Sequence, residues 1–240
     1  MGLSSSKITT KPGVKFSNIK HELKPFDIIL FRGGELVSDA ISFVEKIFVG
    51  EGDWTHAGMV ITTDIIPIKN GVPGKLYVWE STMSGKLADG INNVETGDGF
   101  FGVQIRDLEK VIDKYDKDGD TKVAWCRLLE NPLNKKDDET DEEYNQRVEL
   151  VKENVYKFYK DHNNTTYDYN CLNLLSAVYD KMPKWKNNTF FCSELVTAIY
   201  QVLGLIPKNI DPELMSPVEF VTSENPLFIL PPITITREWK

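Results

Sequence analysis

Phe190-Phe191-Cys192-Ser193-Glu194-Leu195-Val196 is the stretch on which the reading of this chain turns. Leu195, Val196, Ile199, Tyr200 and Leu203 recur at helical spacing, so a helix opens near Phe190 and Gly204 closes it. Cys192 precedes Leu195 and Val196 by three and four positions and so shares their side of the helix. In a first helical turn, free N–H groups and the helix dipole favour an anion. That lowers a thiol pKa and makes a nucleophile. The same N–H groups would also steady an oxyanion. A buried structural cysteine fits the pattern equally well, so the chemistry depends on partners elsewhere in the chain.

The chain has three histidines. His21 falls in a polar N-terminal segment, and His162 ends a polar helix, where a cation suits the dipole. His56 sits in Thr55-His56-Ala57-Gly58-Met59-Val60, at the start of a strand and beside small residues that leave room for a partner. Glu80, in Tyr77-Val78-Trp79-Glu80-Ser81-Thr82, interrupts an otherwise apolar strand. An exposed edge charge is the plainer reading of it alone. If the two strands pair antiparallel, a register that sets His56 opposite Glu80 also sets Val60 opposite Leu76. Directly opposed side chains lie about 5 Å apart, so a base and the carboxylate that orients it would meet on one face of one hairpin.

Four segments in order then resemble a known group: Phe26-Asp27-Ile28-Ile29-Leu30-Phe31, Thr55-His56-Ala57-Gly58-Met59-Val60, Trp79-Glu80-Ser81, and Phe191-Cys192-Ser193-Glu194-Leu195-Val196. Together they look like the circularly permuted NlpC/P60 papain-like superfamily. That group includes the YiiX-like bacterial proteins, related poxvirus proteins and, more distantly, lecithin:retinol acyltransferase. The resemblance covers roughly residues 23 to 222. It implies an α+β fold in which an antiparallel sheet packs against helices and the nucleophile stands at a helix N-terminus. It implies Cys192 as nucleophile, His56 as base and Glu80 as third member. Tyr169, in Tyr167-Asp168-Tyr169, and Ser193 are candidates for lining the substrate site or assisting the oxyanion.

The expected activity is a cysteine-dependent hydrolase or acyltransferase. It would act on an ester, amide or thioester carbonyl of a lipid, a lipid-modified protein or a peptide, through an acyl-enzyme. No metal or organic cofactor is needed for it. The alternatives are a peptidase or isopeptidase acting on protein conjugates or cell-wall peptides, and a partner-binding protein that kept the fold without the chemistry. The resemblance to viral members implies a viral source, and the abundance of Lys, Asn and Ile suggests an AT-rich genome.

Bulk properties narrow the rest. A chain of 240 residues, 41% hydrophobic and 27% charged, reads as an ordinary globular protein. A net charge of -8 argues against nucleic acid as partner, since phosphate contacts need a basic face. Three widely spaced cysteines form neither a disulfide framework nor a zinc pattern, which suits an intracellular setting. No apolar run nears the roughly 18 residues of a membrane span. Met1-Gly2 with Ser6 matches the N-myristoylation pattern, which makes Gly2 a lipidation candidate. Lys7, Lys11, Lys15, Lys20 and Lys24 follow it. One acyl chain plus a basic segment can hold a protein on an anionic membrane, so peripheral membrane or virion association is expected.

Along the chain, residues 1–22 are expected to be a flexible tail and residues 23–240 a single catalytic domain. Strands are predicted at 28–31, 55–63, 75–82, 103–105, 123–129 and 228–230, the last stopping before Pro231-Pro232. Helices are predicted at 37–48, 107–115, 141–162, 171–179 and from 190 to 203. Thr140 with Glu143 makes a capping box for the third of these. Asp116-Lys117-Asp118-Gly119-Asp120 has a calcium-loop look, but Trp125 stands where a carboxylate is required, so it reads as a turn.

Overall fold

A computed structural model describes residues 11–32, 54–82, 90–115, 123–167, 189–221 and 227–236. The expected helices at 37–48 and 171–179, the 116–120 turn, Tyr169 and Gly2 lie outside the described residues.

The strands are β1 (Lys11–Lys15), β2 (Ile28–Phe31), β3 (His56–Ile61), β4 (Tyr77–Thr82), β5 (Gly102–Asp107), β6 (Val123–Leu128), β7 (Thr166–Tyr167), β8 (Thr189–Phe190) and β9 (Phe228–Thr236). They form one sheet in the order β1-β9-β6-β2-β3-β4-β5-β7-β8. The expectation of an antiparallel sheet needs correcting. The middle is antiparallel throughout, but β1 pairs parallel with β9 and β7 parallel with β8, so the sheet is mixed. Four described helices accompany it: α1 (Phe16–Ile19), α2 (Leu108–Tyr115), α3 (Asp141–His162) and α4 (Cys192–Val202). The architecture is α+β.

Helices cover both faces of the sheet. Phe16 and Ile19 of α1 and Leu108, Val111 and Ile112 of α2 pack on one side, against Ile29, Phe31, Val60, Val78 and Trp125. Val155 and Tyr159 of α3 and Leu195, Val196, Ile199 and Tyr200 of α4 pack on the other, against Ile28, Leu30, Met59, Trp79 and Ile105. Burial on both sides explains why β2 reads as an unbroken apolar run rather than an alternating one.

Two expectations about the ends are overturned. Residues 11–22 were expected in the flexible tail, yet they supply β1 and α1, and Phe16 and Ile19 are buried. The lysines disguise a segment whose Phe16 and Ile19 point inward. At the other end, β9 does not stop before Pro231-Pro232 but runs through it. Trp125 pairs with Ile233 and Arg127 with Ile229, so β9 spends two more residues than β6 over this stretch. The irregularity takes up the two prolines, which have no N–H to give to a regular ladder.

Local chemistry accounts for the helix ends. The Thr140 hydroxyl accepts the Glu143 N–H and the Glu143 carboxylate accepts the Thr140 N–H, the capping box read from the sequence. At the end of α4, Gly204 takes φ +74. Its N–H goes to the Gln201 carbonyl and that of Leu205 to the Tyr200 carbonyl, a Schellman closure that a residue with a side chain adopts only under strain. Tyr200 also anchors the helix to the sheet: its hydroxyl donates to the Phe26 carbonyl at 2.6 Å.

Candidate active site

Strands β3, β4 and β5 are neighbours in the sheet, and each contributes one residue to a polar row, buried at Glu80 and Arg106 and partly exposed at His56. His56 opens β3, Glu80 lies in β4 and Arg106 in β5. The expected register was off by two residues. Met59 pairs with Trp79 and Val60 with Val78, so the same register sets Gly58, not His56, beside Glu80. A shift of two preserves the face. Glu80 and His56 therefore still meet, diagonally, with Nε2–H of His56 donating to Oε2 of Glu80 at 2.5 Å. The diagonal needs Gly58. A Cβ built there would clash with Val78 Cγ2 and stand 3.2 Å from Glu80 Cβ.

Arg106 was missed. It pairs with Val78, two places from Gln104, which pairs with Glu80, and its Nε donates to Oε1 of Glu80 at 2.6 Å. Both Arg106 and Glu80 are fully buried. The signal was present: Gln104 and Arg106 are alternate polar residues in an apolar strand. Ending the strand at residue 105 hid it.

The nucleophile candidate approaches from the other face of the sheet. Cys192 is the first residue of α4, and α4 packs with its apolar side on the face opposite to Glu80. Because β3 begins at His56, the helix N-terminus meets the imidazole at the strand end. Cys192 and His56 lie close enough to perturb each other's ionisation, and the backbone N–H groups of Ala57 and Ser193 lie near the sulfur. With Nε2 given to Glu80, Nδ1 is the ring nitrogen left for the thiol. Phe31, the β2 partner of His56, packs against the imidazole with the rings tilted and their centroids 5.4 Å apart. Tyr115 backs Phe31 at 4.6 Å.

The electrostatics follow from these neighbours. Burial disfavours charge on His56, but the Cys192 thiolate and the Glu80 carboxylate outweigh it and raise the imidazole to about 10. Burial alone would raise Glu80; the charges of Arg106 and His56 bring it down to about 2. Burial likewise opposes a Cys192 thiolate, and the His56 cation with the two backbone N–H groups lowers the thiol below its ordinary value. Cys126 is the internal contrast. It is buried in β6, with Asp27 as its one charged influence, and burial pushes its thiol well up. The surroundings of one cysteine favour its anion more than a free thiol's would, and the other sits as an apolar filler.

Ser193, next to Cys192, uses its hydroxyl structurally. Its hydroxyl donates to the Met215 carbonyl at 2.6 Å, tying the helix start to the segment after it. What it presents to the sulfur is its backbone N–H. His162 departs from expectation: burial lowers its pKa, and the ring packs on Phe158 at 4.4 Å. Among the described residues no group of His, Cys, Asp or Glu is arranged to hold a metal ion, and no helix is long and apolar enough to cross a membrane.

No protein-family model matches the chain, and no curated protein matches it.

Proposed function

We propose that the protein is a cysteine-dependent hydrolase or acyltransferase on a permuted papain-like fold of the NlpC/P60 type. One observation carries the reading: Cys192, at a helix N-terminus, faces an imidazole whose far nitrogen is held by a buried carboxylate. Such an arrangement has a chemical use and little structural one, because burying so many charges is costly.

In the proposed reaction, His56 Nδ1 takes the Cys192 proton and Glu80 stabilises the imidazolium and fixes its tautomer. The thiolate adds to an ester, amide or thioester carbonyl carbon. N–H groups at the start of α4 would steady the oxyanion. The tetrahedral adduct collapses, His56 protonates the departing alcohol, amine or thiol, and an acyl thioester remains on Cys192. Water or a second acceptor, deprotonated by His56, then attacks the thioester and restores the thiol. The substrate class we favour is a lipid ester or an acylated protein. Support for that comes from the Gly2 lipidation pattern and the lysines after it, which would bring the site to a membrane surface.

Trapping the acyl-enzyme tests this reading. Incubation with a panel of activated lipid esters, acyl thioesters and isopeptide conjugates, followed by peptide mass spectrometry, should find an acyl adduct at Cys192. The adduct should vanish in Cys192→Ala. Turnover that survives Cys192→Ala would refute the proposal.

A further inference from the structure

We propose that Arg106 is a fourth, positioning member of the site: it fixes Glu80 as an anion aimed at His56. The inference rests on the proposed nucleophilic reading of Cys192.

The two carboxylate oxygens of Glu80 are divided between two cationic partners, Oε1 to Arg106 Nε at 2.6 Å and Oε2 to His56 Nε2 at 2.5 Å. Arg106 is fixed in turn by its place in β5, whose ladder with β4 runs unbroken from Tyr77–Asp107 to Thr82–Gly102. A guanidinium held by one strand thus sets the rotamer of a carboxylate on the next, and that carboxylate sets the imidazole on the third.

In the ion-paired form the row reads cation, anion, cation, anion: Arg106, Glu80, His56, Cys192. It sums to zero. Without Arg106 the remaining three would carry a net negative charge in a site where Glu80 is fully buried. A buried carboxylate in that position takes up a proton. His56 would then lose its stabilising anion, and Cys192 would revert toward a neutral thiol. No other described carboxylate is placed to substitute. Asp107 follows Arg106 on the opposite side of β5 and pairs with Lys75 at 2.6 Å.

The test is the pH profile of iodoacetamide labelling at Cys192, read by peptide mass spectrometry in the full chain. The variants are Arg106→Gln, which removes the charge, and Arg106→Lys, which keeps it but loses the planar fork. Circular dichroism checks folding. The labelling midpoint is expected to rise by about one pH unit or more in Arg106→Gln, a roughly tenfold loss of thiolate at any pH well below both midpoints, with Arg106→Lys between it and the wild type. In a Glu80→Gln background, Arg106→Gln should add nothing. A folded Arg106→Gln with the wild-type midpoint would overturn the proposal, as would a further shift on top of Glu80→Gln. Should Arg106→Gln fail to fold, Arg106→Lys decides: a raised midpoint supports the role, and an unchanged one overturns it. The wild-type profile separately tests the nucleophile. Wild-type labelling that follows an ordinary thiol sinks the reading of Cys192 itself, whatever the arginine variants do.

Discussion

Glu80 shows how much one side chain can decide. Its ordinary pKa of 4.5 falls to about 2 in the fold, despite burial, through Arg106 and His56. A carboxyl depressed on folding contributes stability that is fully present above about 4.5 and is lost as pH falls toward about 2. Urea unfolding followed from pH 7 to pH 3 should therefore show an acid limb in the wild type. Glu80→Ala strands a buried guanidinium, so it should lose about 3–5 kcal/mol at neutral pH and flatten that limb. An unchanged limb would mean the carboxylate is not the buried anion described. Residue by residue, the sequence disclosed Cys192, His56 and Glu80 because each is a reactive type set against apolar or small neighbours. Arg106 was harder to see. An arginine near a predicted strand end usually faces water, and only the sheet pairing buries this one.

At the scale of elements, the β3–β4 pair shows what periodicity can and cannot decide. Alternation predicted that His56 and Glu80 share a face, and they do, because a strand's faces repeat every second residue. The register was wrong by two because the connection between the strands is long, and no short turn fixes it. Gly58 marks the true register. Its missing side chain is what allows Val78 and Glu80 to close over that point of β3. Gly58→Ala should therefore cost about 1–3 kcal/mol, as overpacking does. It should also raise the labelling midpoint of Cys192 by loosening the His56–Glu80 contact. A thermal melt with the labelling profile checks both, and a variant as stable and as reactive as the wild type would contradict this packing. The long helix was legible in full because the Thr140–Glu143 box and the polar end are local features. The strand through Pro231-Pro232 was not, since a proline pair forbids a regular ladder and nothing local announces the bulge that accommodates it.

For the molecule as a whole, the sheet order is the part the sequence could not reveal. That β1 and β9, from opposite ends of the chain, lie side by side in parallel depends on contacts between distant segments. Those contacts bear on the site only indirectly, by completing the sheet beyond β6 and β2. The site itself depends on something more specific: three adjacent strands hold Arg106, Glu80 and His56 in a row, and α4 delivers Cys192 to the open end of β3 from the other face. The central claim is that this convergence makes Cys192 a thiolate paired with His56. The most direct test is the pH dependence of iodoacetamide labelling, mapped by peptide, in the wild type and in His56→Ala. The His56 cation lowers the thiol, so thiolate persists as pH falls until it passes the lowered pKa. Labelling of Cys192 is expected to continue below about pH 6 in the wild type and to collapse there in His56→Ala, while buried Cys126 stays unlabelled in the folded protein. Labelling that follows a free thiol near pKa 8.5, and is the same in both proteins, would contradict the account.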